Sequence, residues 1–147
     1  NQFGMGTNVR RVSAVEDFAV MGASYGINGE TVDGMDVIAV YESIIKASEE
    51  IKKSAVPYLL DVKTYRYKGH SMSDPAKYRT REELDSYKKQ DPIELLRVRM
   101  EEEKLITEKR YKEMDSEIRK RIDEAVDFAE KSEEPPLESI YEDIYID

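Results

Sequence analysis

Residues 37–67 constrain this chain more than any other stretch. Val37, Ile38, Tyr41, Ile44, Ile45 and Ile51 recur three and four apart, with Ser48 the one polar interruption, which is the spacing of a helix that buries one face. Asp36 stands where an N-cap belongs, and Lys52 and Lys53 stand where the helix dipole favours cations. Pro57 blocks further helix, and "YLLDVKTYRY" sets Leu60, Val62 and Thr64 in alternation with Asp61 and Lys63, the period of a strand. Before the helix, Glu30 to Val32 reads as a brief strand closed by the turn residues Asp33 and Gly34. Short strand, long amphipathic helix and strong strand make a βαβ unit, with parallel strands and a right-handed crossover. The expected class is α/β, part of a mainly parallel sheet. Ligands of such sheets gather beyond the carboxyl ends of the strands, so the segment that leaves the second strand is the place to look for a site.

The flanks are read from caps and breakers. The opening "NQFGMGTNVRRV" is a loop, its glycines able to approach a ligand or take up positive φ. Residues 13–25 predict a short helix, with Ser13 as N-cap, Glu16 completing a capping box and Gly26 near its end. "DPIE" at 91–94 opens a helix to about residue 103. Tyr111, Met114, Ile118, Ile122, Val126 and Ala129 carry a longer one from about Thr107, stopped by Pro135 and Pro136. The final "LESIYEDIYID" is expected as an extended tail docked through Ile140, Tyr141, Ile144 and Tyr145. Two regions follow from this: 1–81, the α/β part with its loop, and 82–147, a helical carboxy-terminal part.

Composition narrows the function. A chain of 147 residues with 39% hydrophobic content can build a core, while 37% charged residues require a large solvated surface. The formal charge of -9 opposes general nucleic-acid binding, because most of the surface would repel a phosphate backbone. There is no cysteine, which excludes disulfides and thiolate metal sites and fits a reducing compartment such as the cytoplasm. No apolar run approaches the roughly 20 residues needed to span a bilayer.

Against that acidic background, residues 63–81 gather Lys63, Arg66, Lys68, Lys77, Arg79 and Arg81 around His70, the only histidine, with Asp74 the only acid. Such a loop beyond a strand end attracts an anion, and imidazole or guanidinium groups would make charge-assisted bonds to phosphate oxygens. The plainer reading of the same residues is a solvated loop whose cations pair with acidic helices, with His70 in a structural hydrogen bond. Gly69 beside His70 favours the ligand, since a glycine lets the backbone come close. Tyr65 and Tyr67 read as packing residues at a strand end and not as a base-stacking platform.

"NQFGMGT", "VDGMDV", "TYRYKGHSMSDP" and "YRTREE", in this order and spacing, closely resemble the alpha subunits of the pyruvate dehydrogenase E1 component, a family of thiamine-diphosphate enzymes. The resemblance covers essentially the whole chain and corresponds to the carboxy-terminal part of those subunits, so the chain is expected to be a piece of a longer polypeptide with a doubly wound cofactor-binding sheet. It implies thiamine diphosphate and Mg2+ as cofactors. Asn1 matches the family's metal-ligating asparagine, and Phe3, where tyrosine is frequent, matches the donor of a main-chain carbonyl. Both supply the hard oxygens that magnesium requires. His70 matches a histidine that contacts the diphosphate and is the one candidate catalytic residue. The Gly-Asp-Gly motif that completes the metal site has no counterpart here, since Val32-Asp33-Gly34 is a different turn.

The resemblance further implies an E1 beta subunit that supplies the cofactor-activating glutamate, the lipoyl domain of E2 as acceptor, and pyruvate as substrate, with a branched-chain 2-oxo acid or acetoin as alternatives. It places the protein in the cytoplasm of a bacterium or the mitochondrial matrix of a eukaryote. Ser71 matches a position phosphorylated in mitochondrial relatives, but Asn8 and Ala76-Lys77 stand where those relatives carry further serines. A non-catalytic module that binds a partner chain through the helices after Asp91 is the competing reading.

Overall fold

A computed structural model describes residues 1–145. Its central feature is the expected βαβ unit. Strand β3 (Asn28–Asp33) and strand β4 (Tyr58–Lys63) pair in parallel, in register from Asn28 opposite Tyr58 to Asp33 opposite Lys63, and helix α1 (Val37–Ser54) makes the crossover. Asp36 caps α1 as its position requires, its carboxylate accepting the amides of Ile38 at 2.9 Å and Ala39 at 3.1 Å. Near the base of the crossover the Gly34 amide donates to the Lys63 carbonyl at 2.7 Å. At the far end of α1, Ala55 takes a left-handed φ of 55° and stops the helix two residues before Pro57.

Alternation along the strands sends their side chains to two different layers. Towards α1, Glu30 accepts from Lys46 at 2.6 Å, from the Tyr58 hydroxyl at 3.1 Å and from Ser43 at 3.4 Å, and Ser43 and Ala47 are the buried helix positions. Towards the other face, Asp61 accepts the Phe18 amide at 3.0 Å and pairs with Lys63, while Thr31 donates to Asp17. These bonds seat a 3₁₀ helix, Phe18–Tyr25, on the sheet. The α-helix and the capping box expected from Ser13 do not form. Ser13 instead closes a local turn with Val15, and Asp17 becomes the cap by accepting the Ala19 amide at 3.0 Å. The tertiary bonds to Asp61 and Thr31 fix this segment against β3 and β4, and they override the local helix signal. Gly26, at φ 70°, ends it where the sequence indicated.

The opening residues form a small antiparallel ladder of β1 (Phe3–Gly4) and β2 (Thr7–Asn8). After β4 come α2 (Arg81–Lys88), which the sequence reading did not anticipate, and α3 (Pro92–Glu102), which the "DPIE" capping signature did. Thr80 caps α2 by accepting the Glu83 amide at 3.1 Å. Asp91 caps α3 through the Ile93 amide at 2.9 Å. Phe3, Met35 and Tyr65 form a buried cluster, with Tyr67, Tyr78, Leu84 and Tyr87 packed against it.

The chain divides into two compact units, Asn1–Glu102 and Glu103–Asp147. In the second, α4 (Glu108–Lys131) starts at the Thr107 cap and carries spaced ion pairs, Lys112 with Glu108 at 2.6 Å and Arg119 with Asp115 at 2.7 Å. Its row Ile118, Ile122 and Val126 is more than half exposed. The tail corrects the expectation of an extended, docked segment. Leu137–Tyr141 is a 3₁₀ helix, begun by Pro136 and held by Ser139, whose amide and hydroxyl both donate to the Pro136 carbonyl. Ile140, Tyr141, Ile144 and Tyr145 are exposed, and the last two residues of the expected tail lie outside the described residues.

A Cβ on Gly29 would fall on the backbone carbonyl of Ala19, which cannot move aside without lifting the 3₁₀ helix from the sheet. Gly29→Ala is therefore expected to destabilise the first unit by about 1–3 kcal/mol, the usual size of overpacking. Urea unfolding measures this directly, and an unchanged midpoint would disprove the close approach.

Candidate functional site

The segment that leaves β4 meets the start of the chain. The Asn1 amine donates to the Thr64 hydroxyl at 2.9 Å, one residue past the strand, and the Asn1 side-chain oxygen accepts the Phe3 amide at 3.1 Å. The Phe3 ring packs edge-on against Tyr65, with centroids 6.3 Å apart, and lies 5.3 Å from Tyr78. Tyr65 in turn stacks on Tyr87 at 3.9 Å and donates its hydroxyl to Glu83 at 3.0 Å. Burial, helped by that carboxylate, pushes the Tyr65 hydroxyl pKa up, so the group stays a neutral donor.

Two arginines then shape the backbone. Arg79 donates through both terminal nitrogens to the carbonyls of Arg66 and Tyr67, with its guanidinium 5.5 Å from the centre of the Tyr65 ring. Arg66 donates to the Met5 carbonyl at 2.6 Å and to the Tyr78 hydroxyl at 3.2 Å, and its Nε is buried without a partner among the described residues. Arg66 thereby ties the amino-terminal loop to the loop that follows β4. Gly6 permits this approach, since a Cβ there would strike the Tyr78 ring.

Asp74 organises the loop around His70. Its carboxylate accepts the His70 amide at 2.7 Å, the Ala76 amide at 2.8 Å and the Tyr78 hydroxyl at 2.8 Å. A Cβ at position 69 would collide with Asp74, so glycine is needed there for steric reasons. The two backbone amides, then the Tyr78 hydroxyl, hold the Asp74 pKa down at about 2 against its ordinary 3.8. His70 itself is exposed, as are Ser71 and Ser73, whose hydroxyls lie 3.2 Å apart.

The predicted residues are thus brought together unequally. Asn1 and Phe3 sit side by side at the end of β4. His70 reaches Phe3 only through Tyr78 and Asp74, and no direct contact joins His70 to Asn1 or Phe3 among the described residues. The six cations of the loop also divide. Arg66 and Arg79 are struts for backbone carbonyls, and Lys63 turns to the other face of the sheet, where it donates to the Glu16 carbonyl at 2.7 Å. Lys68, Lys77 and Arg81 extend into solvent. Lys68, Arg79 and Arg81 border a wide depression of about 600 Å³, also lined by Gly69, Ser71 and Asp74. Asp74 and Tyr78 were not foreseen as site residues. The signal was an aspartate before proline, four residues from the histidine, which is the composition of a side-chain-capped turn.

The chain has a parallel βα crossover whose strand end carries an amide-rich loop and a histidine loop, and its residues 1–138 match the family described as Dehydrogenase E1 component, to which it belongs. Its relatives include the pyruvate dehydrogenase E1 component subunit alpha of Rickettsia bellii, 41% identical over 146 residues that make up 99% of this chain and 45% of that protein. The corresponding subunit of Rhizobium meliloti is 43% identical over 147 residues, 99% of this chain and 42% of that protein. A mitochondrial subunit alpha from Sminthopsis macroura is 45% identical over 147 residues, 99% of this chain and 40% of that protein. The chain spans less than half the length of these relatives.

Because folding lowers the Asp74 pKa, the order this carboxylate gives the loop is complete above about 3.8 and is lost as pH falls through about 2. Asp74→Asn leaves one accepting oxygen where two now serve three donors. Amide exchange at His70 and Ala76 is expected to quicken at least tenfold in this variant at neutral pH. Unaltered exchange at both amides would remove Asp74 from its role.

Proposed function

We propose that this chain is the carboxy-terminal part of a pyruvate dehydrogenase E1 alpha subunit, and that residues 1–81 anchor thiamine diphosphate and Mg2+ while 82–147 form a helical region. The reading rests above all on the Arg66 clasp, which gathers the Asn1 and Phe3 loop and the His70 loop at the carboxyl end of a parallel strand.

The donors fit the cofactor pair in kind. Asn1 offers an amide oxygen and Phe3 a main-chain carbonyl, both hard ligands suited to magnesium. The described residues contain no group of three or more His, Cys, Asp or Glu able to hold a metal, so the remaining ligands come from outside this set. His70 is exposed beside the basic depression, where its ring nitrogens can meet a diphosphate oxygen and Lys68 and Arg81 add attraction. Asp74 fixes the His70 backbone and leaves the ring free to orient. When bound, thiamine diphosphate supplies the carbanion chemistry of 2-oxo acid decarboxylation. This chain contributes binding and orientation. In the complete enzyme the substrate is pyruvate, an E1 beta subunit provides the activating glutamate, and the lipoyl domain of E2 accepts the acetyl group. Among the described residues no helix is long and apolar enough to cross a membrane. The cytoplasm, or the mitochondrial matrix in a eukaryote, is the proposed location.

The exposed apolar row of α4 favours a second role in the same assembly, that of an association surface for a partner chain. Co-purification with a beta subunit would test that role separately from activity.

Two oxygens cannot hold a dication and its cofactor unaided. Calorimetry of this chain with thiamine diphosphate and magnesium should therefore show no micromolar affinity, and micromolar binding would refute the division of labour. In the complete enzyme, His70→Ala is expected to weaken cofactor binding by about 1.5–3 kcal/mol, the size of a hydrogen bond to a charged group. Ser71→Glu should abolish activity by setting a carboxylate against the diphosphate. Full activity of Ser71→Glu would place the anion elsewhere.

A further inference from the structure

Between Lys63 and Arg81 the chain carries no helix or strand, so the position of the exposed His70 depends on side chains that hold this loop to the body of the unit. Asp74 fixes the loop within itself. Tyr67, three residues before His70, fixes where it departs. The Tyr67 carbonyl accepts from Arg79, its ring lies 6.4 Å from that of Tyr65, and its hydroxyl donates to Asp91 Oδ2 at 3.0 Å, a bond across 24 positions in sequence. Burial, helped by the Asp91 carboxylate, pushes the Tyr67 hydroxyl pKa up, so the group stays a donor.

The two oxygens of Asp91 have separate tasks. Oδ1 caps α3, accepting the Ile93 amide at 2.9 Å and the Glu94 amide at 3.4 Å, while Oδ2 takes the Tyr67 hydroxyl. Pro92, at the first helical position, presets the backbone that follows the cap. The cap thereby locks the carboxylate in the orientation that receives the hydroxyl. Capping alone needs one oxygen, which serine or threonine supplies as well. The second oxygen ties α3 to the root of the His70 loop, and a bond to a charged acceptor is stronger than a neutral one.

We infer that, given the cofactor anchoring proposed above, Asp91 is a positioning residue for His70: it holds Tyr67 by the hydroxyl and so sets the point from which the imidazole reaches a diphosphate oxygen. Its effect passes through the Tyr67 ring to the main chain of Lys68 and Gly69. Gly69 lies so close to Asp74 that a Cβ would collide with the Asp74 carbonyl, so the short link cannot absorb a shift at Tyr67 and hands it on to His70. A residue that only capped α3 would serve stability and leave His70 where it is.

The test uses the complete enzyme and measures the dissociation constant of thiamine diphosphate in the presence of magnesium, kcat at saturating cofactor, and the urea midpoint. Tyr67→Phe keeps the ring and loses only the hydroxyl. Asp91→Ser keeps a cap and loses the oxygen that Tyr67 uses. Each is expected to weaken cofactor binding by about five- to tenfold, less than the loss of a direct bond to a charged group, while kcat at saturation stays within about twofold. The double variant should match the single ones, because both cut the same bond. In a His70→Ala background Tyr67→Phe should have no further effect, since no imidazole is left to place. Unchanged cofactor affinity in Tyr67→Phe overturns the inference, as do additive losses in the double variant, an equal loss with and without His70, or a change confined to the urea midpoint. If His70→Ala itself leaves the affinity unchanged, the cofactor reading fails and takes this role with it. A loss in His70→Ala without one in Tyr67→Phe removes the role of Asp91 alone.

Discussion

The clasp made by Arg66 is the interaction on which the first unit depends. One guanidinium nitrogen donates both to the Met5 carbonyl and to the Tyr78 hydroxyl, and through Tyr78 it is coupled to Asp74 and the His70 amide. Residues 61 and 12 positions away in sequence are thereby held in one network. Hydrogen bonds to charged groups are worth more than neutral ones, and a network of them resists the loss of any single member. The amino-terminal loop has only a two-residue ladder of its own, so most of its order comes from this clasp and from Phe3 in the aromatic cluster.

That network changes the meaning of the basic patch. A count of charges treats each arginine as an anion binder, yet Arg66 and Arg79 direct their terminal nitrogens to main-chain oxygens. Planar guanidinium groups with several fixed donors suit this task, because one side chain can tie two carbonyls and stack over a ring at once. The cationic groups left exposed are those of Lys68, Lys77 and Arg81, in the same loop as the exposed His70. Asp74, the lone acid, does not dilute the patch at random. It accepts three donors of its own loop, and these hold its pKa low.

The βαβ unit was legible because each of its signals is local: the three-and-four spacing of α1, the Asp36 cap, Pro57 as a breaker and the alternation of β4. The families of contact that the sequence concealed are long-range. Ser13 and Glu16 spell a capping box, but Asp61 holds the Phe18 amide from 43 residues away and Thr31 holds Asp17, so the segment becomes a 3₁₀ helix. In the tail, apolar residues at 140–145 implied docking, whereas Pro136 and Ser139 close a local turn that leaves them exposed. Thr80 and Glu83 do form a legible cap, though α2 is only eight residues long and its apolar positions are too few to show a period. In the site, Asn1 and Phe3 were named from a resemblance and His70 from both its loop and the resemblance, while the positioning roles of Arg66, Asp74 and Tyr78 emerge from the three-dimensional contacts.

The unequal covering of the sheet ties these observations to function. On one face a 3₁₀ helix is pinned by Asp61 and Thr31, and on the other α1 is pinned to β3 by Glu30, Ser43 and Lys46. Both anchors are polar and lie inside the unit, whereas Val37, Tyr41, Ile44, Ile45 and Ile51 of α1 stay exposed. The carboxyl end of β4 leads to Thr64, whose hydroxyl accepts from the Asn1 amine, and on to the His70 loop. The bonds that hold the two layers on the sheet therefore also fix the strand end from which both loops depart.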